Sequence, residues 1–322
     1  INGIVEAYWR KSKDCVTSEY VPVTTGFFNQ SYNTSVLQNN GVEFSLSVAV
    51  LKSKDYNLSV SANVAWNQNK LKKYNSPNTS LALDKYVGYP MGAVFSGKYE
   101  GIDPETGMYK FKLRPDAVTN KDGYLREPNN YYYYLGTSVA PFTGGFNLNF
   151  SYKNIGLSVG GSYSVKAKMV DNIESPAGYE LLSGSKLESI PTPHNDLYRN
   201  HLNVKREVRN RWTPENRTGV KYPRLIDAYG KKLGLDLTNP TLTTITRGAL
   251  LEDISYLRIN TIALSYSLPQ RVLERINFSS AALNLTLNNF FTITKYSGID
   301  PEVPGATYPV SRSVTIGLNV GF

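Results

Sequence analysis

Apolar and polar residues alternate along eight stretches of the chain. In the last of them Val314, Ile316, Leu318, Val320 and Phe322 share one face, and Ser313, Thr315, Gly317, Asn319 and Gly321 the other. Period two is the signature of a β-strand. The same pattern places Val42, Phe44, Leu46, Val48 and Val50 opposite Glu43, Ser45, Ser47 and Ala49. It recurs in NLSVSANVAW, FNLNFSY, IGLSVGGSYSV, TIALSYS and ALNLTLNNF, and weakest in IVEAYWR. The spacing predicts strands over 1–10, 42–51, 56–68, 144–153, 155–167, 255–267, 281–291 and 311–322.

Three features separate a membrane barrel from a soluble sandwich, whose strands also alternate. The polar faces carry Ser, Asn, Thr and Gly, with few Lys or Glu, whereas solvent-facing sheets use charge to guard their edges. The apolar rows run about nine to eleven residues, the length that crosses a bilayer when tilted. The connections alternate between long (11–41, 69–143, 168–254) and short (52–55, Asn154), with 268–280 and 292–310 between these extremes. Outer-membrane barrels have this asymmetry, with short periplasmic turns and long extracellular loops. The parity places Trp9, Trp66, Phe146, Tyr256, Phe290 and Phe291 at the outer ends, and Tyr152, Tyr266 and Phe322 at the inner ends, as candidate aromatic girdles. SLPQRVLERI predicts a short helix at an inner turn, with Pro269 near its first turn.

Composition narrows the chemistry. The chain has 322 residues and a net charge of +9, with 19% charged and 12% aromatic residues. No apolar run is long enough for a transmembrane helix, so a membrane reading survives only as a barrel. Cys15 is the sole cysteine, and His194 and His201 stand without a ligand cluster, so neither a disulfide framework nor a metal site is expected. No Gly-x-Ser-x-Gly, phosphate loop or metal-spaced motif is present. The acid pair Glu174/Glu180 lies in a loop without defined geometry. The expectation is therefore a protein that is not an enzyme, with no catalytic residue and no cofactor. Nucleic-acid binding is not expected, because the positive charge is dispersed. The chain opens on Ile1 without a leader pattern, which predicts a piece of a longer protein.

The long connections carry the candidate contacts. GYPMGAVFSGKYEGIDPETGMYKF predicts a hairpin within a loop, since Asp103-Pro104 and Thr106-Gly107 are turn pairs. Asp103 and Glu105 have the oxygen chemistry for Ca²⁺, but the turn explains them better. The pentapeptide GIDPE returns at 298–302. Four tyrosines at 131–134 offer flat amphipathic area for sugars, peptides or a protein partner; the alternative is packing of the loop on itself. Leu197, His201, Val204 and Val208 predict an amphipathic helix with a basic tail (Lys205, Arg206, Arg209, Arg211). That tail could face lipid phosphates.

Several stretches in order resemble SusC/RagA-type TonB-dependent outer-membrane transporters: TTGFFNQSYNTSVLQNNGVEFSLSV, GIDPETG, PFTGGFNLNFSYKNIGLSV, RWTPENRTGVKYPRL, LEDISYLRINTIALSYSLPQRVL, LNNFFTITKYSGIDPE and YPVSRSVTIGLNVGF. The resemblance implies an all-β transmembrane antiparallel barrel of 22 strands with an N-terminal plug. Residues 1–322 would be its C-terminal arc of about eight strands, lacking the plug and the first strands. It also implies a SusD-like surface lipoprotein lid, energy from TonB–ExbB–ExbD, and oligosaccharide or oligopeptide cargo. The location would be the outer membrane of a Gram-negative, Bacteroidota-type cell, in contact with its lipid. Tyr132, Tyr133, Tyr134, Trp212, Asn216 and Arg224 are the expected loop contacts with cargo or lid. Phe322, a terminal aromatic on the closing strand, resembles the signal read by the barrel-assembly machinery. The competing expectation is a secreted β-sandwich carbohydrate-binding module.

Overall fold

A computed structural model describes residues 1–21, 23–74, 86–105, 107, 109–116, 132–170, 209–220, 247–304 and 308–322. Eight strands form one antiparallel sheet in the order β1-β2-β3-β8-β9-β12-β13-β14. These are β1 (Asn2–Tyr20), β2 (Asn29–Lys52), β3 (Tyr56–Lys73), β8 (Phe142–Tyr152), β9 (Ile155–Val165), β12 (Tyr256–Ser267), β13 (Ser280–Thr294) and β14 (Ser313–Gly321). Every expected strand is present, and each pairs with its neighbour along the chain. Among the described residues six short strands pair off the sheet: β4 (Ala93–Gly97) with β7 (Tyr132–Thr137), β5 (Tyr99–Ile102) with β6 (Tyr109–Phe111), and β10 (Lys168–Val170) with β11 (Leu251–Asp253).

The register keeps the two faces chemically separate across strand after strand. Val42 sits beside Trp66, Phe44 beside Val64 and Leu46 beside Ala62, while Ser45 sits beside Asn63 and Ser47 beside Ser61. Further along, Leu283, Leu285 and Leu287 meet Leu318, Ile316 and Val314. Among the described residues the apolar face has no second layer over it: Ile316 is 72% exposed, Ile293 71% and Leu318 67%. A soluble sheet would bury such rows against another layer. Bare apolar rows backed by a polar face are the outer wall of a membrane barrel, and the sheet is an arc of one.

The inner turns are short. Lys153, in the left-handed region at φ 49°, and Asn154 close the β8–β9 turn. The helix α1 (Gln270–Arg275) follows Pro269 and buries Leu273. Tyr56 and Tyr152 stack at 4.7 Å, and Phe278 meets the edge of Phe322 at 5.2 Å. Together with Tyr266, these rings lie along the edge of the sheet where the inner aromatic girdle is expected.

Two expectations are corrected. Residues 11–41 are not a long loop: β1 and β2 run through most of that stretch and leave only 21–28 between them. At roughly 3.3 Å per residue β2 is about 80 Å long, far more than a tilted crossing needs. Its first half, NQSYNTSVLQNN, is mostly polar on both faces, with Tyr32, Val36 and Leu37 too scattered to make an apolar row, as suits a strand in water. Tyr8 of β1 lies across Gly41 of β2 and donates to Asn67 Oδ1 of β3 at 3.1 Å. A Cβ on Gly41 would sit 2.3 Å from that ring. The second correction concerns Tyr256, expected in the outer girdle. Between the Ile259/Phe291 and Thr261/Asn288 pairs β12 carries one extra residue and β13 two, which shifts the parity of β12. Leu257 and Ile259 take the apolar row of Tyr163 and Gly161, and Tyr256 and Arg258 turn to the polar face with Ser164 and Ser162.

Candidate functional site

The polar face is a hydrogen-bonded wall. Ser158 Oγ donates to Asn149 Oδ1 at 2.8 Å, and Thr261 Oγ1 to Asn288 Oδ1 at 3.2 Å. Asn288 Nδ2 donates to Ser313 Oγ at 3.0 Å, and the Gly145 amide donates to Asn63 Oδ1 at 2.9 Å. Neutral amides and hydroxyls of this kind can exchange hydrogen bonds with a passing polar solute without holding it by charge.

Three loop systems rise from the outer rim. In the first, Tyr132, Tyr133 and Tyr134 form the start of β7 and pair with Gly97, Ser96 and Phe95 of β4. The Tyr134 ring packs against Tyr89 at 4.9 Å and Phe95 at 5.7 Å, and Phe95 also meets Tyr86 edge-on at 5.0 Å. Burial pushes the Tyr134 and Tyr86 hydroxyls above the ordinary phenol range. The Tyr133 hydroxyl donates to the Leu113 carbonyl at 2.8 Å. The tyrosines thus build the loop first. Tyr134 keeps a partly exposed face for contacts beyond it.

The expected hairpin is β5–β6, with GIDPE at 101–105 in its turn. Asp103 Oδ1 accepts from the Glu105 amide at 2.9 Å, and the Asp103 carbonyl from Gly107 at 2.8 Å. Trp212 is buried, and its Nε1 donates to the Pro104 carbonyl at 2.9 Å. It pins the segment 209–220 to the hairpin instead of presenting a face to solvent. Asn216 is exposed, closes a turn with Thr213 and donates from Nδ2 to the Arg211 carbonyl at 3.3 Å. Arg224, Tyr131, Glu174, Glu180, both histidines and the expected helix up to residue 208 lie outside the described residues. Gly248, in the 3-10 turn Arg247–Leu250, comes so close to strand β4 that a Cβ would lie 1.8 Å from the Gly97 carbonyl oxygen. Phe322 is 91% exposed on the apolar row.

The second and third systems interlock. Ala167, Ile254 and Tyr296 form a small core with Ala140 and Met169, drawn from the loops after β3, β9 and β13. Glu252 accepts from the Ser297 amide at 2.9 Å and from its hydroxyl. Arg258, 2% exposed, then reaches into the loop after β13. Its Nη2 pairs with Asp300 Oδ1 and its Nη1 with Glu302 Oε2, the latter at 3.0 Å. Asp300 Oδ1 also accepts from the Glu302 amide at 3.0 Å and Oδ2 from the Val310 amide at 3.1 Å. Burial pushes the Asp300 carboxyl up, but those amides and the Arg258 guanidinium outweigh it and hold the carboxyl below the ordinary aspartate range. Among the described residues, no three His, Cys, Asp or Glu side chains are grouped to hold a metal.

The Arg258–Asp300 pair was not singled out by reasoning from sequence. Two signals were there: a lone cation in a strand otherwise built of small polar and apolar residues, and the second GIDPE.

No family model matches the chain. It is 25% identical over 350 residues to TonB-dependent receptor P26 of Formosa agariphila, covering 98% of this chain and 32% of that protein. It is 24% identical over 347 residues to TonB-dependent receptor SusC of Bacteroides thetaiotaomicron, covering 100% of this chain and 30% of SusC. Among solved structures it superposes on the RagAB peptide transporter with a TM-score of 0.71 and 26% identity, over 99% of this chain and 33% of that one. The RagAB peptide importer in its 'closed-closed' state gives a TM-score of 0.72 at the same identity. The chain spans about a third of the length of the curated relatives it matches.

Proposed function

We propose, from the premise that this chain is an outer-membrane β-barrel arc of the SusC/RagA type, that the whole protein is a TonB-energised importer of oligosaccharides or oligopeptides. Residues 1–322 are its C-terminal barrel segment. The remaining two thirds supply the other strands, the plug and the TonB contact, and a SusD-like lipoprotein covers the mouth. The protein is not an enzyme. The observation that carries this reading is the segregation of faces: a hydrogen-bonded polar row backs an uncovered apolar row in register across the sheet. Such a surface requires lipid on one side and water on the other.

The outer loops meet cargo or lid. The exposed part of Tyr134, with Tyr132, Tyr133, Asn216 and Arg224, are the contacts we assign, and Trp212 supports them from beneath. The likeness to RagAB, a peptide transporter, favours a peptide, and oligosaccharides remain the other cargo class that the family resemblance implies.

The test uses the full-length protein in its native membrane. Deletion of its gene is expected to abolish growth on, or uptake from, one defined pool of peptides or oligosaccharides, and the protein should need detergent for extraction. Recovery in the aqueous fraction without detergent would sink the importer and restore the sandwich alternative.

A further inference from the structure

We infer that Arg258 is a positioning residue that fixes the loop after β13 against the lumen face, so that this loop is a built-in constriction of the entry path and not a free flap. The inference rests on the importer reading only in calling the polar face a lumen.

Four observations carry it. The β12/β13 bulge sets Arg258 on the polar face, in line with Ser162 and Thr292. A side chain on that face would stand in water unless something covered it, yet Arg258 is 2% exposed. The cover is the loop itself. Asp300 and Glu302 both reach Arg258, and Ile299, Pro301, Pro309 and Val310 share a cleft with Arg258, Asn289, Thr292 and Thr294 of the wall. The loop is also tied at both ends: Tyr296 is buried against Ala167 and Ile254, and Asn289 Nδ2 donates to the Ser311 carbonyl at 3.0 Å.

The chemistry explains why the lock holds. Asp300 spends both oxygens on backbone amides of its own loop and on Arg258. The carboxylate that shapes the turn is therefore the one that docks it. Among the described residues, Arg258 Nε is buried with no hydrogen-bond partner, and the guanidinium takes its charge compensation from these two acids. Removing Arg258 leaves the buried Asp300 carboxylate without its cation, and removing Asp300 leaves the buried Arg258 only the partly exposed Glu302; either way a buried charge loses its main partner, which is costly.

The experiment uses the full-length transporter purified in detergent, with Arg258→Met and, as the variant that keeps shape and wall intact, Asp300→Asn. Amide exchange is read in the segment holding Glu302 and Val310, with Ala93–Gly97 as the internal reference. Both variants are expected to raise exchange there by about tenfold or more through local opening, with the reference unchanged. Constriction is read separately. Asn284→Cys, deep on the polar face of β13, is placed in a background without other cysteines and labelled with N-ethylmaleimide or a polymer-conjugated maleimide. Freed of the lock, the bulky reagent should gain at least about fivefold on the small one. Unchanged exchange overturns the lock, and an unchanged labelling ratio overturns the constriction. If Arg258→Met does not assemble, Asp300→Asn decides. Neither readout needs cargo or energy, so a failure of the importer reading in the uptake assay is a separate result.

Discussion

The pentapeptide GIDPE occurs twice, at 101–105 and 298–302, and the two copies fold alike for local reasons and are held for different ones. In each, the Asp side chain accepts from the amide of the Glu two residues on, at 2.9 and 3.0 Å. That is an Asx turn, written in the sequence itself. Beyond it they diverge. The first turn is gripped by an indole donating to a carbonyl, out on a hairpin above the sheet. The second is gripped by a buried guanidinium on the barrel wall. Even the glycines differ. Gly101 is needed for its backbone, at φ 119°. Gly298 is needed for space, since a Cβ there would lie 2.3 Å from the Tyr296 ring. Five identical letters fix a turn; what the turn does is decided by the residue that reaches it from elsewhere in the chain.

The comparison can be broken at either grip. Arg258→Met should have the largest effect, costing the docked loop about 3–5 kcal/mol because Asp300 is left buried and unpaired. Exchange protection at 296–304 measures it. Trp212→Ala comes next, at about 3 kcal/mol for a buried indole, and should free the β5–β6 hairpin to proteolysis while the second turn stays protected. Trp212→Phe keeps the packing and loses one hydrogen bond, about 1 kcal/mol. Gly101→Ala should cost about 1–3 kcal/mol through backbone strain. Gly298→Ala should instead register as displacement of Tyr296, read from its ring fluorescence or NMR signals.

Acid supplies the smallest and sharpest contrast. The Asp300 carboxyl is held below its ordinary value in the folded state. Its contribution is therefore complete above the unfolded aspartate pKa of about 3.9 and is lost as pH falls through the lower folded value. Between pH 7 and 5 the second turn should hold unchanged. Below about pH 4 it should loosen in the wild type, and Asp300→Asn should flatten that dependence. Loosening between pH 7 and 5 would contradict the assignment.

Much of this was legible from one end of the chain to the other because hydrocarbon enforces an apolar row. All eight strands showed themselves wherever they cross it. Where β1 and β2 continue into water, both faces turn polar, the period vanishes, and 11–41 resembles a loop. Tyr256 was misplaced for a related reason: alternation counts residues, and a bulge adds some that the count cannot see. The tyrosines at 132–134 were recognised as important but not as their own packing partners, because Tyr89 and Phe95 lie some forty residues away. Arg258 and Asp300, likewise distant in sequence, meet only through the fold.

The bulge has a consequence for how this wall can change over generations. Strict alternation back from Ile262 would put Asn260, Arg258 and Tyr256 on the same side as Leu264 and Tyr266. Drawing Asn260 into the ladder, so that this rhythm ran on unbroken, would therefore swing a cation from its acids into lipid, whereas deleting Asn260 would leave Arg258 on the polar face. Most substitutions along β12 alter one tile; ironing out the bulge would turn over every tile above it. The strand's spelling is permissive, and its skipped beat is not.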